Sequence, residues 1–208
     1  MFGGNFQTWK LHSAQDYFMF FAYILAGVLV FWLIAKHMNK QRNHEKAVEK
    51  VSGRLKKICG KPGEVLKNAT LNLPEGKMTF DVVLMDKRGV YLVRTYGWGI
   101  KIYGTPDGAM WRREDAKRKE EFENPLLNLK KGAEEIGKIM EENGVHNLKV
   151  MPMVVFADNY QTPELYLGYG SYSTTYQELK SWYKKQSGVK EVQYDYDKVS
   201  SIIKGLVK

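Results

Sequence analysis

Asp81 lies inside the apolar run TFDVVL and Arg94 inside YLVRTYGWG, two charged side chains in stretches otherwise suited to a strand interior. A buried carboxylate is uncommon unless a metal, a cation or hydrogen bonds hold its charge. Arg94, on the following strand, is a candidate for that cation if the register turns both side chains to one face. It could equally meet a phosphate, whose geometry a guanidinium matches. Other chemistry-bearing residues form no constellation. His12, His37, His44 and His146 are scattered, which supports neither a histidine-based triad nor a zinc site. The lone Cys59 has no partner for a disulfide and reads as a small hydrophobe. No Walker loop occurs, and GYGSYS lacks the third glycine of a dinucleotide fingerprint, whereas Thr175 and Glu178 have the spacing of a helix-opening capping box. Glu114, Asp115, Glu120, Glu121 and Glu123 are interleaved with Arg and Lys, and this mixture reads as a solvated helix start.

The elements that must hold Asp81 and Arg94 follow from periodicity. From His44 to Ile58, Ala47, Val48, Val51, Leu55 and Ile58 recur at steps of three and four, giving a helix with one apolar and one basic face. Such a helix lies in a membrane plane or packs on a core; the narrow stripe without large aromatics favours the core. VLKNATLNL, MTFDVVLM and VYLVRTY, joined at PEGK and DKRG, predict an antiparallel meander. GIKIYG and GAMWRRE predict a further hairpin. A long helix follows, with Pro125 in its early turns and Leu126, Leu129, Ala133, Ile136 and Ile139 or Met140 on one face. LKVMPMVVFADN is a continuous apolar strand, expected to be buried on both faces. The segment from Glu164 to Gln186 reads as strand, glycine loop and helix, and DKVSSIIKGLVK as a short amphipathic helix. Tyr166, Tyr169, Tyr172, Tyr176 and Trp182 are either half-buried packing or a base-stacking or peptide-binding surface.

Before all of this, Tyr17 to Ala35 carries no charge, a length close to that of a bilayer's hydrocarbon core. The weak charged leader and the missing small-residue cleavage site favour a retained transmembrane helix over a signal peptide. Lys36, Lys40, Arg42, Lys46 and Lys50 follow the span and only Lys10 precedes it, so the C-terminal part is expected in the cytoplasm and the N-terminus outside. The formal charge of +9 is unevenly spread: residues 36–73 carry a surplus of seven positive charges and residues 74–208 only two. Basicity next to the span points to anionic lipid headgroups as a partner and makes the high isoelectric point a poor argument for nucleic acid. The expected organisation is a short non-cytoplasmic N-terminus (1–16), a transmembrane helix (17–36), a basic juxtamembrane linker (37–43) and one domain (44–208).

The stretch VLKNATLNLPEGKMTFDVVLMDKRGVYLVRTYGWGIKIYG, with Trp111, NPLLNLKKGAEEI and VMPMVVFADN, resembles the nuclease-related domain family. The resemblance runs from about Glu45 to Phe156. It implies an α/β, restriction-endonuclease-like core: helix, antiparallel strand meander, long helix, buried strand and C-terminal helices, here behind one N-terminal transmembrane helix. In such a core an Asp ends one strand and Glu-x-Lys lies on the next, the two acids holding a divalent ion and the lysine activating water. Asp81 matches the Asp, and Glu45 is the match for a further ligand on the first helix. The motif then fails. Arg94 stands at the Glu, Tyr96 at the Lys, Gly97 at a usual Asn and Asn128 at a typical Gln, while Trp98, Gly104, Asn124 and Pro125 match.

A guanidinium beside Asp81 adds a like charge against a divalent cation and cannot deprotonate to relieve it. A phenol with an ordinary pKa near 10 is a poor substitute for the lysine. The expectation is a degenerate site of Asp81, Arg94 and Tyr96, with Glu45 a lesser member, no cofactor, and a pseudoenzyme that binds nucleic acid or a membrane-associated protein. The alternative is a nuclease with relocated residues, using Mg2+ or Mn2+ at Asp81 and Glu45.

Overall fold

A computed structural model describes residues 13–41, 44–97, 99–157, 162–185 and 194–207. It divides into two units, Met1–Lys40 and Gln41–Lys208. Within the first, helix α1 (Ala14–Gln41) opens on a capping box: Ser13 Oγ accepts from the Asp16 N–H and Asp16 Oδ2 accepts from the Ser13 N–H. Ala14–Lys36 is long and apolar enough to cross a membrane, with a mean hydropathy of 2.5. The helix continues to Gln41, so most of the stretch read as a linker is helical backbone; Arg42 and Asn43 lie outside the described residues.

The second unit opens with α2 (His44–Cys59), followed by the meander β1 (Glu64–Leu73), β2 (Gly76–Asp86) and β3 (Gly89–Tyr96). A small set of strands comes next, β4 (Lys101–Gly104), β5 (Met110–Glu114) and β6 (Lys119–Glu123), then α3 (Pro125–Glu142) and β7 (Val150–Phe156). The chain closes with β8 (Glu164–Leu167), β9 (Ser173–Thr175), α4 (Leu179–Lys185) and α5 (Tyr196–Leu206). The main sheet has the order β1-β2-β3-β7-β9, antiparallel through the meander and parallel from β3 onward; a second sheet has the order β6-β5-β4-β8.

Alternation along the central strands explains why helices cover both faces of the main sheet. Val83, Met85, Val90 and Leu92 point to one side, where Leu126, Leu129, Ile136 and Met140 of α3 and Val199 and Ile203 of α5 meet them. Val82, Leu84, Tyr91 and Val93 point to the other, against Ala47, Val48, Val51 and Leu55 of α2 and Leu179 and Tyr183 of α4. The basic helix therefore packs on the core, and β7 is buried along most of its length, as its unbroken apolar run requires.

Three sequence expectations change. The charged stretch around residues 114–123 is no helix: β6 pairs antiparallel with β5, and its charges meet across the strands, Arg113 with Glu120 at 2.8 Å and Lys119 with Glu114 at 3.7 Å. Phe122 anchors that strand edge-on against the fully buried Trp111. The glycine loop before α4 contains the short strand β9, which extends the main sheet. Thr175 Oγ1 does accept from the Glu178 N–H at 3.2 Å, but Thr175 belongs to β9 and the helix begins at Leu179.

Candidate functional site

The pairing of β2 with β3 ends at Val82 opposite Val93. Asp81 and Arg94 are the next residues on each strand; Arg94 falls on the α3 side, beside Pro125 and Leu129, while Asp81, past the end of the ladder, is within reach of groups from both faces. Asp81 is 2% exposed, and each of its oxygens is engaged. Arg94 Nη1 donates to Oδ1 at 3.1 Å, while Oδ2 accepts from the Thr95 N–H at 2.6 Å and from Thr95 Oγ1 at 3.1 Å. Beyond the last ladder pair, the carboxylate thus takes the backbone donor of a fully buried residue.

A fourth group was not expected from sequence. His44 Nε2 lies 3.3 Å from Asp81 Oδ1, reaching in from the first turn of α2. Glu45, the anticipated helix ligand, is exposed, as His44 largely is. Helical phase separates the two. His44 is three, four and seven residues before Ala47, Val48 and Val51 and shares their stripe, whereas Glu45 is about 100° further round. That signal was present in the sequence and pointed to His44.

Tyr96 is turned away from any lysine-like role. Its ring stacks on Phe156 with centroids 5.6 Å apart and meets Phe122 at 4.9 Å. Burial, opposed by Arg94 and Arg113, pushes its phenol up to about 12, so it is neutral and apolar in behaviour at physiological pH. Between β2, β3 and the start of α3 lies a groove of about 450 Å³, whose polar lining includes His44, Lys77, Thr79, Arg94, Glu123 and Asn128. Among the described residues, no three His, Cys, Asp or Glu side chains are grouped as metal ligands would be.

The floor of this region depends on a buried latch. Asn124, 2% exposed, caps α3 by accepting from the Leu126 N–H at 2.9 Å, and its amide donates to the carbonyls of Gly108 at 2.7 Å and Pro106 at 3.1 Å. Pro125 then occupies the first turn, where its missing N–H costs nothing. Gly104 lies against the Trp111 indole, with no room for a Cβ, and the indole N–H donates to the Thr105 carbonyl at 2.8 Å. Asn-Pro, glycine and tryptophan in this pattern are parts that seat α3 and the second sheet. Trp98 lies outside the described residues.

This order of elements is what the family resemblance implied, although Asp81 lies in the middle of β2, where the pairing with β3 ends, and not at the end of the strand. The sequence model of a family described as the nuclease-related domain matches residues 40–157. The chain belongs to the nuclease-related domain family. Searches of curated proteins and of solved structures returned no match. The matched stretch holds α2, the meander, the second-sheet strands β4 to β6, α3 and β7, so the nuclease-related domain supplies both Asp81 and the groove beside it. In this member Arg94, Thr95 and His44 surround the aspartate.

Proposed function

We propose that this chain is a membrane-anchored nuclease-related domain that does not cut phosphodiesters by metal-dependent hydrolysis and serves instead as a binding module. The observation that supports this is the state of Asp81: both oxygens are taken by Arg94 and Thr95, and the nearest further group is His44. These donors do not fit a divalent ion. A second carboxylate is replaced by a permanent cation, and three of the roughly four lone-pair sites of the Asp81 carboxylate are already occupied by hydrogen bonds. At the position of the water-activating lysine stands a phenol packed between two rings.

Nucleic acid is the ligand that the groove favours. Lys77 and Arg94 line it beside the hydroxyl of Thr79, a combination suited to phosphate oxygens, and the 37% exposure of the Arg94 side chain leaves part of its guanidinium open to the groove. A membrane-associated protein is the other partner in view. The apolar α1 would hold the domain at a bilayer, with the basic flank placing it on the cytoplasmic side.

Two measurements on the purified full chain test this reading. DNA and RNA incubated with Mg2+ or Mn2+ should remain intact, and a single-stranded DNA titration should show affinity falling steeply with salt. Divalent-dependent cleavage that an Asp81→Ala variant abolishes would show a working nuclease with another arrangement. Absence of DNA binding would turn the search to a protein partner.

A further inference from the structure

On the opposite side of the main sheet, α2 and α4 enclose a second groove, of about 790 Å³. Lys50, Arg54, Lys57, Arg88, Lys180 and Lys184 line it, with Glu49 the one acid among the lining residues. Charge of one sign at this density in a concavity is costly without a counter-ion, since the repulsion is focused by low-dielectric walls. Among the described residues, no carboxylate lies within 4.0 Å of Arg54, Lys57, Arg88 or Lys180. The two guanidiniums are nevertheless fixed in place. Arg54 lies over the Tyr176 ring at 4.5 Å and donates to the Gln177 carbonyl at 3.1 Å; Arg88 lies over the Tyr183 ring at 4.2 Å and donates to the Tyr183 carbonyl at 2.9 Å. Tyr183 is itself held by a hydrogen bond from its hydroxyl to Asp86 Oδ2. Pre-oriented guanidiniums lose less freedom when they meet an anion, and their planar forks match phosphate oxygens.

We propose that this groove binds the phosphate of an anionic membrane lipid headgroup. Two observations favour a lipid over a nucleic acid strand. The aromatic rings in the groove are not free for base stacking, because each has a guanidinium over one face and packs into the α2 and α4 side of the core. The α2 sequence also starts eight residues after the end of the candidate span at Lys36, so a short tether supplies headgroups at high effective concentration. A cationic groove so close in sequence to a span is a recurrent means of recognising anionic headgroups. The groove lies apart from Asp81 and its neighbours, and the proposal rests only on the anchored part of the functional reading.

The test is a lysine acetylation footprint of the full chain in nanodiscs of phosphatidylcholine, with and without phosphatidylglycerol. Lys57 and Lys180 should react several-fold more slowly when phosphatidylglycerol is present, whereas Lys119 on the second sheet keeps its rate. An Arg54→Gln variant should lose about fivefold of that protection, the effect of one cation near an anionic surface. A Lys119→Gln variant should lose none. Equal protection of Lys57, Lys180 and Lys119 would overturn the proposal in favour of general surface attraction. Protection by single-stranded DNA or inorganic phosphate in phosphatidylcholine discs, without protection by phosphatidylglycerol, would also overturn it, as would no protection at all. A chain that fails to enter the discs refutes the anchor; one that enters and shows unprotected lysines refutes the groove.

Discussion

Removing Asp81 should harm the fold more than removing Arg94, although the two form one ion pair. Arg94 contributes one hydrogen bond at 3.1 Å, and its side chain is 37% exposed, so water can solvate the aspartate that it leaves behind. Asp81 retains Thr95 and the nearby His44 in that case. The cost falls well short of that for a fully buried pair, at about 1–2 kcal/mol. Asp81→Ala removes the same pair and also the acceptor for the Thr95 N–H, a donor on a residue with no exposure. An orphaned buried N–H costs about 1–3 kcal/mol, so the total comes to about 2–5 kcal/mol. The assay is a double-mutant cycle of Asp81→Ala and Arg94→Ala, read by denaturant unfolding of the full chain in a nonionic detergent. A coupling energy of about 1 kcal/mol is expected between the two positions. A coupling near zero, or an Arg94→Ala variant less stable than Asp81→Ala, would refute the reasoning.

Asn124→Ala should destabilise the chain by about 2–3 kcal/mol in the same unfolding assay, because it removes the α3 cap and leaves carbonyls of the half-buried preceding loop without their side-chain donor. Lys204 and Ser200 of α5 hold the Glu64 carboxyl below its usual 4.5, with Lys204 the larger cause. The folded pKa is depressed, so this stabilisation is present above 4.5 and lost as pH falls through the folded value. Partial exposure limits it to less than about 1 kcal/mol, and Glu64→Gln should flatten the acid side of a stability profile by that amount. Tyr96 should contribute no phenolate absorbance until pH approaches 12, so a Tyr96→Phe variant should match the parent in a spectrophotometric titration below that range.

Much of the architecture was legible because burial writes a period into the chain. The meander, α3 and β7 carry apolar runs or stripes long enough to fix their type, and the family resemblance supplied their order. The β6 strand was not legible, since its face is made of cross-strand ion pairs with Phe122 as the single apolar anchor, and a charged run has no period that separates strand from helix. In the site, Asp81 and Arg94 stood out as charges in apolar strands. Thr95 did not, because simple alternation would place its side chain on the other face from Arg94; the end of the β2 and β3 ladder lets both its N–H and its hydroxyl reach the carboxylate. His44 could have been found from its place on the α2 stripe, where Glu45 does not lie. The groove between α2 and α4 had a partial signal, a basic helix face, but its second wall comes from α4, distant in sequence.

Manganese binding by the full chain, followed as loss of the free-ion signal in electron paramagnetic resonance, tests most directly whether Asp81 is committed to Arg94 and Thr95 rather than to a metal. The wild-type chain and Asp81→Ala should give superimposable titrations. A bound equivalent of manganese in the wild type that disappears in Asp81→Ala would contradict the account.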